Sequence, residues 1–197
     1  MNKGAMRRLE ELVPDLKYDI CVITGDFRGG TFGPFDDTLE GMKRLRSHLR
    51  KTVYGVLGNH DTIRMVPDLE EMGIRVLLNE CESLSRGGET IYLAGIDDAH
   101  YYQVDNIEKA ASNIPPDAFS ILVSHTPEIY RHAAHAGFGL LLSGHTHGGQ
   151  ICLPGSFYPN HIVFGATETF WIGGLAVPQY DRIYVSRCRV ISRASAH

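Results

Sequence analysis

Four short stretches of the chain place oxygen or imidazole donors at abrupt loops: Gly25-Asp26, Gly58-Asn59-His60-Asp61, Ser124-His125 and Gly144-His145-Thr146-His147. Asp26, Asn59, His125 and His145 offer a carboxylate, an amide oxygen and two imidazoles. That mixture suits a divalent transition ion such as manganese, iron or zinc better than Mg²⁺ or Ca²⁺ alone. A neighbouring ion could share Asp26 as a bridge and take His147 as a terminal ligand, since ions about 3.5–4 Å apart clamp the attacking and leaving oxygens of a displacement. His60 cannot easily reach the ion held by adjacent Asn59, so it is better placed to protonate a leaving group or steady phosphoryl oxygens. Asp61 is then expected to hold the His60 imidazole in the needed tautomer. Taken singly, Gly-Asp and Ser-His read as turn or packing residues; four loops in one order, each at a strand end, read as a hydrolytic metal centre.

The elements that must position these loops are legible from periodicity. Ala5 to Leu16 predicts a short amphipathic helix closed by Pro14, and Tyr18 to Thr24 a buried strand that runs into Gly25-Asp26. Gly25 to Pro34 must be loop, after which Asp36 to Lys51 regains helical spacing, with Asp36 or Asp37 available as a cap. Thr52 to Leu57 is the next buried strand, followed by a helix at Asp68 to Met72 and a strand at Ile74 to Leu78. Glu80 to Ser85, Gly87-Gly88 and Thr90 to Gly95 form a hairpin signature. A helix at Asp105 to Ala111, a strand at Ser120 to Val123, a helix at Pro127 to Ala136 and a strand at Phe138 to Leu142 lead to the last ligand loop. Beyond Gly148 the clearest strand is Ile183 to Ser186. Strand, ligand loop and helix recur, and α/β sheets place ligands at the carboxyl ends of their strands.

Bulk properties fit one layered domain over 1–197: there are 197 residues, 43% of them apolar, enough for a sizeable core. The net charge of −4 argues against the cationic footprint of a nucleic-acid or anionic-membrane binder, so an anionic substrate needs locally placed positive charge. No run approaches the roughly 18 apolar residues of a membrane span, and Met1 to Glu10 lacks an apolar signal core, which makes the cytoplasm the expected compartment. Cys21, Cys81, Cys152 and Cys188 form no paired motif and read as reduced thiols.

The ordered motifs resemble the calcineurin-like metallophosphoesterase superfamily, whose signature runs Asp-x-His, Gly-Asp, Gly-Asn-His-Asp/Glu, His, Gly-His-x-His; residues from about Tyr18 to Pro154 follow it, and Gly148-Gly149-Gln150 is similar to the bacterial branch. The resemblance implies an α/β fold, an αββα sandwich of two mixed sheets flanked by helices, and hydrolysis of phosphate esters by attack of a metal-bound hydroxide. It puts the bridging aspartate on Asp26, second-ion ligands on Asn59, His125 and His145, a first-ion histidine on His147 and the catalytic histidine on His60. No Asp-x-His precedes Gly25-Asp26, and Cys188-Arg189 stands where a glycine turn is expected. The expectation is a shortened member whose first strand and two first-ion ligands are missing, with one ion bound strongly and the other weak or absent. Exposed sheet edges would then favour a homodimer.

These readings converge on a metal-dependent phosphodiesterase acting on a phosphate-ester small molecule. Diesters are preferred because a centre short of one ion has less charge to offset a dianion. A carboxylic-ester hydrolase using the same Lewis acid, and a noncatalytic metal-binding or interaction domain, are the alternatives. Arg28 is a candidate phosphate partner, and His100-Tyr101-Tyr102 could line a substrate pocket. The basic residues from Lys43 to Lys51 read as a solvated helix face, and His132, His135 and His161 as surface residues.

Overall fold

The computed structural model describes residues 3–145, 175–177 and 180–185. Strands β1 (Ile20–Ile23), β2 (Thr52–Gly55) and β3 (Ile74–Val76) form a parallel sheet in that order. Strands β4 (Glu80–Arg86), β5 (Glu89–Gly95), β6 (Ser120–Ser124), β7 (Leu140–Ser143), β8 (Leu175–Val177) and β9 (Tyr180–Val185) form a mixed sheet in the order β4-β5-β6-β7-β9-β8. Its pairings are parallel from β5 through β9 and antiparallel at both margins. Helices α1 (Lys3–Leu12), α2 (Asp36–His48) and α3 (Val66–Glu71) accompany the first sheet, and α4 (Ile107–Ala111) and α5 (Tyr130–His135) the second.

Two-residue alternation explains the layering, because successive strand side chains face opposite sides. In β2, Val53 enters the cluster beneath α1 to α3 with Met42, Leu45, Leu69 and Ile74, while Tyr54 points into a second cluster with Val56, Leu77, Leu93 and Val123. That second cluster draws on both sheets. In β6, Leu122 turns away from Val123 into a third cluster with Ile107, Ala110, Ala133 and Leu141 from the α4 and α5 side. Helices, sheet, sheet, helices is therefore the order of layers, as the αββα expectation had it.

Local differences have physical causes. The α2 cap position is Phe35, without a side-chain cap bond, and Asp36 and Asp37 occupy the first turn, where negative charge faces the positive end of the helix dipole. At α4 the cap is Asn106, whose side chain accepts from the Lys109 amide. Gly87 and Gly88 both take left-handed conformations (φ 63° and 87°), which supplies the hairpin turn predicted between β4 and β5. Strand β8 had no clear signal in its Gly- and Pro-rich surroundings. Cys21 is buried and Cys81 half-buried; Cys152, Cys188 and His161 lie outside the described residues, as does His147.

Candidate metal centre

Each candidate ligand follows a strand at its carboxyl end: Asp26 after β1, Asn59 to Asp61 after β2, His125 after β6 and His145 after β7. The first two belong to one sheet and the last two to the other, so the centre lies where the sheets' ends meet. Glycines make that approach possible. A Cβ on Gly25 would stand 2.8 Å from both the Gly58 nitrogen and His125 Nδ1, and one on Gly144 would stand 2.7 Å from Thr24 Oγ1. Gly25, Asp26 and His145 have φ of 88°, 55° and 63°, a region that glycine enters freely and other residues seldom do.

His125 is the pivot. It is almost fully buried, and its Nδ1 lies 2.7 Å from the Thr24 carbonyl oxygen, which can only accept. Nδ1 therefore carries a proton, and Nε2 is the ring atom turned toward the other candidate ligands. Nε2 faces Asn59 Oδ1 at 3.0 Å, His145 Nδ1 at 3.2 Å and Asp26 Oδ2 at 3.4 Å. Ligand atoms of Asp26, His125 and His145 all lie within 4.8 Å of one another. An amide oxygen, a carboxylate and two imidazole nitrogens converge here, and oxygen and nitrogen donors in this proportion fit a divalent transition ion. Burial pushes against charge on Asp26, yet the hydrogen bond and charge of His125 prevail and hold its carboxyl below the usual value. Burial also works against the His125 imidazolium, but Asp26 outweighs it and raises that pKa. His145 is lowered by burial and by the neighbouring His125.

His60 stands beside this group, its amide donating to Asp26 Oδ1 at 3.1 Å. The expected pairing of His60 with Asp61 is not made. Asp61 is 1% exposed and accepts from the amides of Phe27 (3.2 Å), Arg28 (3.0 Å) and Gly58 (2.9 Å), stapling two ligand loops together. Burial raises its pKa against the pull of those amides. The imidazole partner is Thr31, whose Oγ1 lies 2.7 Å from His60 Nδ1. Nothing in the spacing of a glycine-rich loop marked Thr31 out. Arg28 is buried, donates to the Gly33 carbonyl at 2.9 Å and packs 5.9 Å from the Phe35 ring centre, so it serves the loop's interior. His100 approaches the group, its ring centre 5.5 Å from that of His145. His132 and His135 are exposed on or beside α5, away from the ligand loops.

A two-sheet sandwich with an aspartate, an asparagine and histidines gathered at its strand ends is the architecture of a metal-dependent phosphoesterase. The calcineurin-like phosphoesterase family profile matches residues 2–149, and the chain belongs to that family. It is 34% identical over 137 residues to the uncharacterized protein YpbG of Bacillus subtilis, covering 67% of this chain and 52% of that protein. With the UDP-2,3-diacylglucosamine pyrophosphatase LpxG of Chlamydia trachomatis it shares 31% identity over 118 residues, covering 60% of this chain and 33% of LpxG. Among solved structures, Haemophilus influenzae NAD nucleotidase (NadN) aligns with a TM-score of 0.57 at 17% identity, covering 92% of this chain and 42% of that one, a likeness of fold. The chain thus spans about half the length of YpbG and a smaller share of LpxG. No helix among the described residues is long and apolar enough to cross a membrane.

Proposed function

We propose that this chain hydrolyses phosphate diesters, with a divalent ion held by Asp26, Asn59, His125 and His145. The observation that carries the reading is the placement of His125 Nε2, whose ring is oriented by the Thr24 carbonyl and which faces an amide oxygen and a second imidazole at 3.0 and 3.2 Å. A divalent ion bound there supplies positive charge to a phosphoryl oxygen and makes a water more acidic. His147 belongs to the proposal as a ligand to the neighbouring ion, with Asp26 as the shared carboxylate. A diester monoanion needs less compensating charge than a monoester dianion, which favours diesters at a centre built chiefly around one ion. LpxG, by its name a pyrophosphatase, supports cleavage of a phosphate that is substituted on two sides.

The chain's own contribution is positioning and proton supply. His60 Nδ1 is engaged by Thr31, which leaves Nε2 to donate to the departing oxygen. The His60 amide bond to Asp26 ties the proton donor to the ligand loop. Asp61 keeps those loops in register without touching the imidazole. The test is hydrolysis of bis(p-nitrophenyl) phosphate with Mn²⁺, beside p-nitrophenyl phosphate and p-nitrophenyl acetate. The diester should turn over fastest. A metal-loaded protein that leaves the diester intact, or prefers the acetate, overturns the proposal.

Thr31 gives a sharper expectation. Thr31→Val removes the hydroxyl at nearly constant shape, and loss of a group that orients a catalytic acid should lower kcat by about 10-fold to 100-fold with KM little changed. Thr31→Ser should restore most of it. A Thr31→Val enzyme with wild-type kcat would remove Thr31 from the machinery.

A further inference from the structure

Large apolar side chains are exposed at seven described positions: Leu12, Phe32, Ile63, Tyr101, Tyr102, Val104 and Phe119. Four of these seven, Phe32, Tyr101, Tyr102 and Val104, lie in loops near the candidate centre, and Ile63 opens the short 3-10 helix that follows the Asn59 to Asp61 loop. Phe32 is 87% exposed and follows Thr31, the partner of His60. Ile63 stands two residues beyond Asp61. Tyr102 reaches back so that its hydroxyl lies 3.5 Å from the Asp61 carbonyl oxygen, and Tyr101 and Val104 flank it on the loop whose His100 approaches His145.

That loop is built to hold its residues outward. Asp98 is completely buried, and its Oδ2 accepts from the amides of Tyr101 and Tyr102, each at 2.6 Å. The Val104 amide donates to the Asp98 carbonyl at 3.0 Å, and Gln103 between them takes φ 53°, a conformation seldom adopted by residues other than glycine, asparagine and aspartate. A loop so fixed, with apolar side chains left in water, points to something apolar that covers them.

We infer that the substrate's second arm is an extended hydrocarbon chain lying across this rim, so that the substrate class is an amphiphilic phosphate diester; the inference rests on the diesterase reading above. A flat heterocycle fits less well. The Tyr101 and Tyr102 rings stand edge to face, 4.9 Å apart at 87°, and so give no parallel slot for stacking, and Phe32, Ile63 and Val104 have no side-chain group to hydrogen-bond a base. Hydrocarbon needs only contact area.

The experiment compares p-nitrophenyl decyl phosphate with p-nitrophenyl methyl phosphate, both below micelle-forming concentration and with Mn²⁺. Water adds across the P–O bond to the nitrophenyl group in each, releasing p-nitrophenol and an alkyl phosphate. The decyl ester should show kcat/KM about tenfold higher, as expected for partial burial of a long alkyl arm. Phe32→Ser and Val104→Ser should each pull that ratio toward one. Phe119→Ser, just before β6 at the opposite end of the sheet, should leave the ratio unchanged. Equal kcat/KM for the two esters, or faster cleavage of thymidine 5′-(p-nitrophenyl phosphate) than of the decyl ester, overturns the hydrocarbon arm while leaving the diesterase intact. No turnover of any diester by metal-loaded protein overturns both.

Discussion

Asp26→Asn should reduce diester turnover by at least about 10²–10³-fold, the loss that follows removal of one well-placed charge-stabilising group. The substitution isolates charge. Asn tolerates the left-handed backbone that Asp26 occupies at φ 55°, and its amide oxygen can still accept from the His60 amide as Asp26 Oδ1 does at 3.1 Å. What it cannot do is bring a carboxylate among Asn59 Oδ1, His125 Nε2 and His145 Nδ1. Stability reports the same loss independently. A ligand present at 100 times its dissociation constant stabilises the folded state by about 2.7 kcal/mol. For a chain of this size that raises the melting temperature by roughly 5–10 °C. Mn²⁺ should shift the wild-type melt by this amount and shift Asp26→Asn far less, with metal content falling in parallel. An Asp26→Asn protein that binds Mn²⁺ and turns over diester at the wild-type rate would sink the assignment of Asp26.

The ligand loops were legible in the sequence because each follows a short apolar run, and three of the four begin with a glycine; Ser124-His125 is marked by its place after an apolar run alone. Buried strands need continuous apolar faces, and abrupt glycine turns at their ends need little else to be recognised. Tyr18 to Thr24 was longer than the observed β1, Ile20–Ile23, but Thr24 just beyond it supplies the carbonyl that fixes His125. The internal partnerships were not legible. Asp61 follows His60, which suggests a pair, yet the turn closed by the Asp61 amide on the Gly58 carbonyl directs its carboxylate back to the Gly58 amide. Thr31 lies 29 residues from the imidazole it meets, in a loop with no periodicity to announce it. The same holds for Asp98, whose two short amide bonds organise the tyrosine loop although its neighbour Asp97 looks identical in sequence. Periodicity reports which face of an element is covered. It carries no record of where a loop's side chains close upon one another.

Gly58→Ala should damage both stability and turnover through a single methyl group. A Cβ there would lie 2.4 Å from Asp26 Oδ1, 2.5 Å from the Asp26 nitrogen and 2.9 Å from His125 Cε1, all closer than real Cβ contacts. Asp26 cannot yield by rotating its side chain, because its backbone nitrogen is also in the way. His125 cannot yield easily either, since it is buried and held by Thr24. The two loops must therefore separate. Overpacking of this kind costs about 1–3 kcal/mol, a fall in melting temperature of roughly 2–12 °C at this chain length. Separation also moves Asp26 and Asn59 apart, and displacement of reacting groups by about 1 Å lowers rates by about 10²-fold. Gly30→Ala is the matched control: nothing lies within 4 Å of a Cβ at that position, so both melt and rate should stay near wild type. If Gly58→Ala melted and turned over like Gly30→Ala, the first-sheet and second-sheet loops could not be packed as closely as a shared ion requires, and the centre would have to be assembled from other residues.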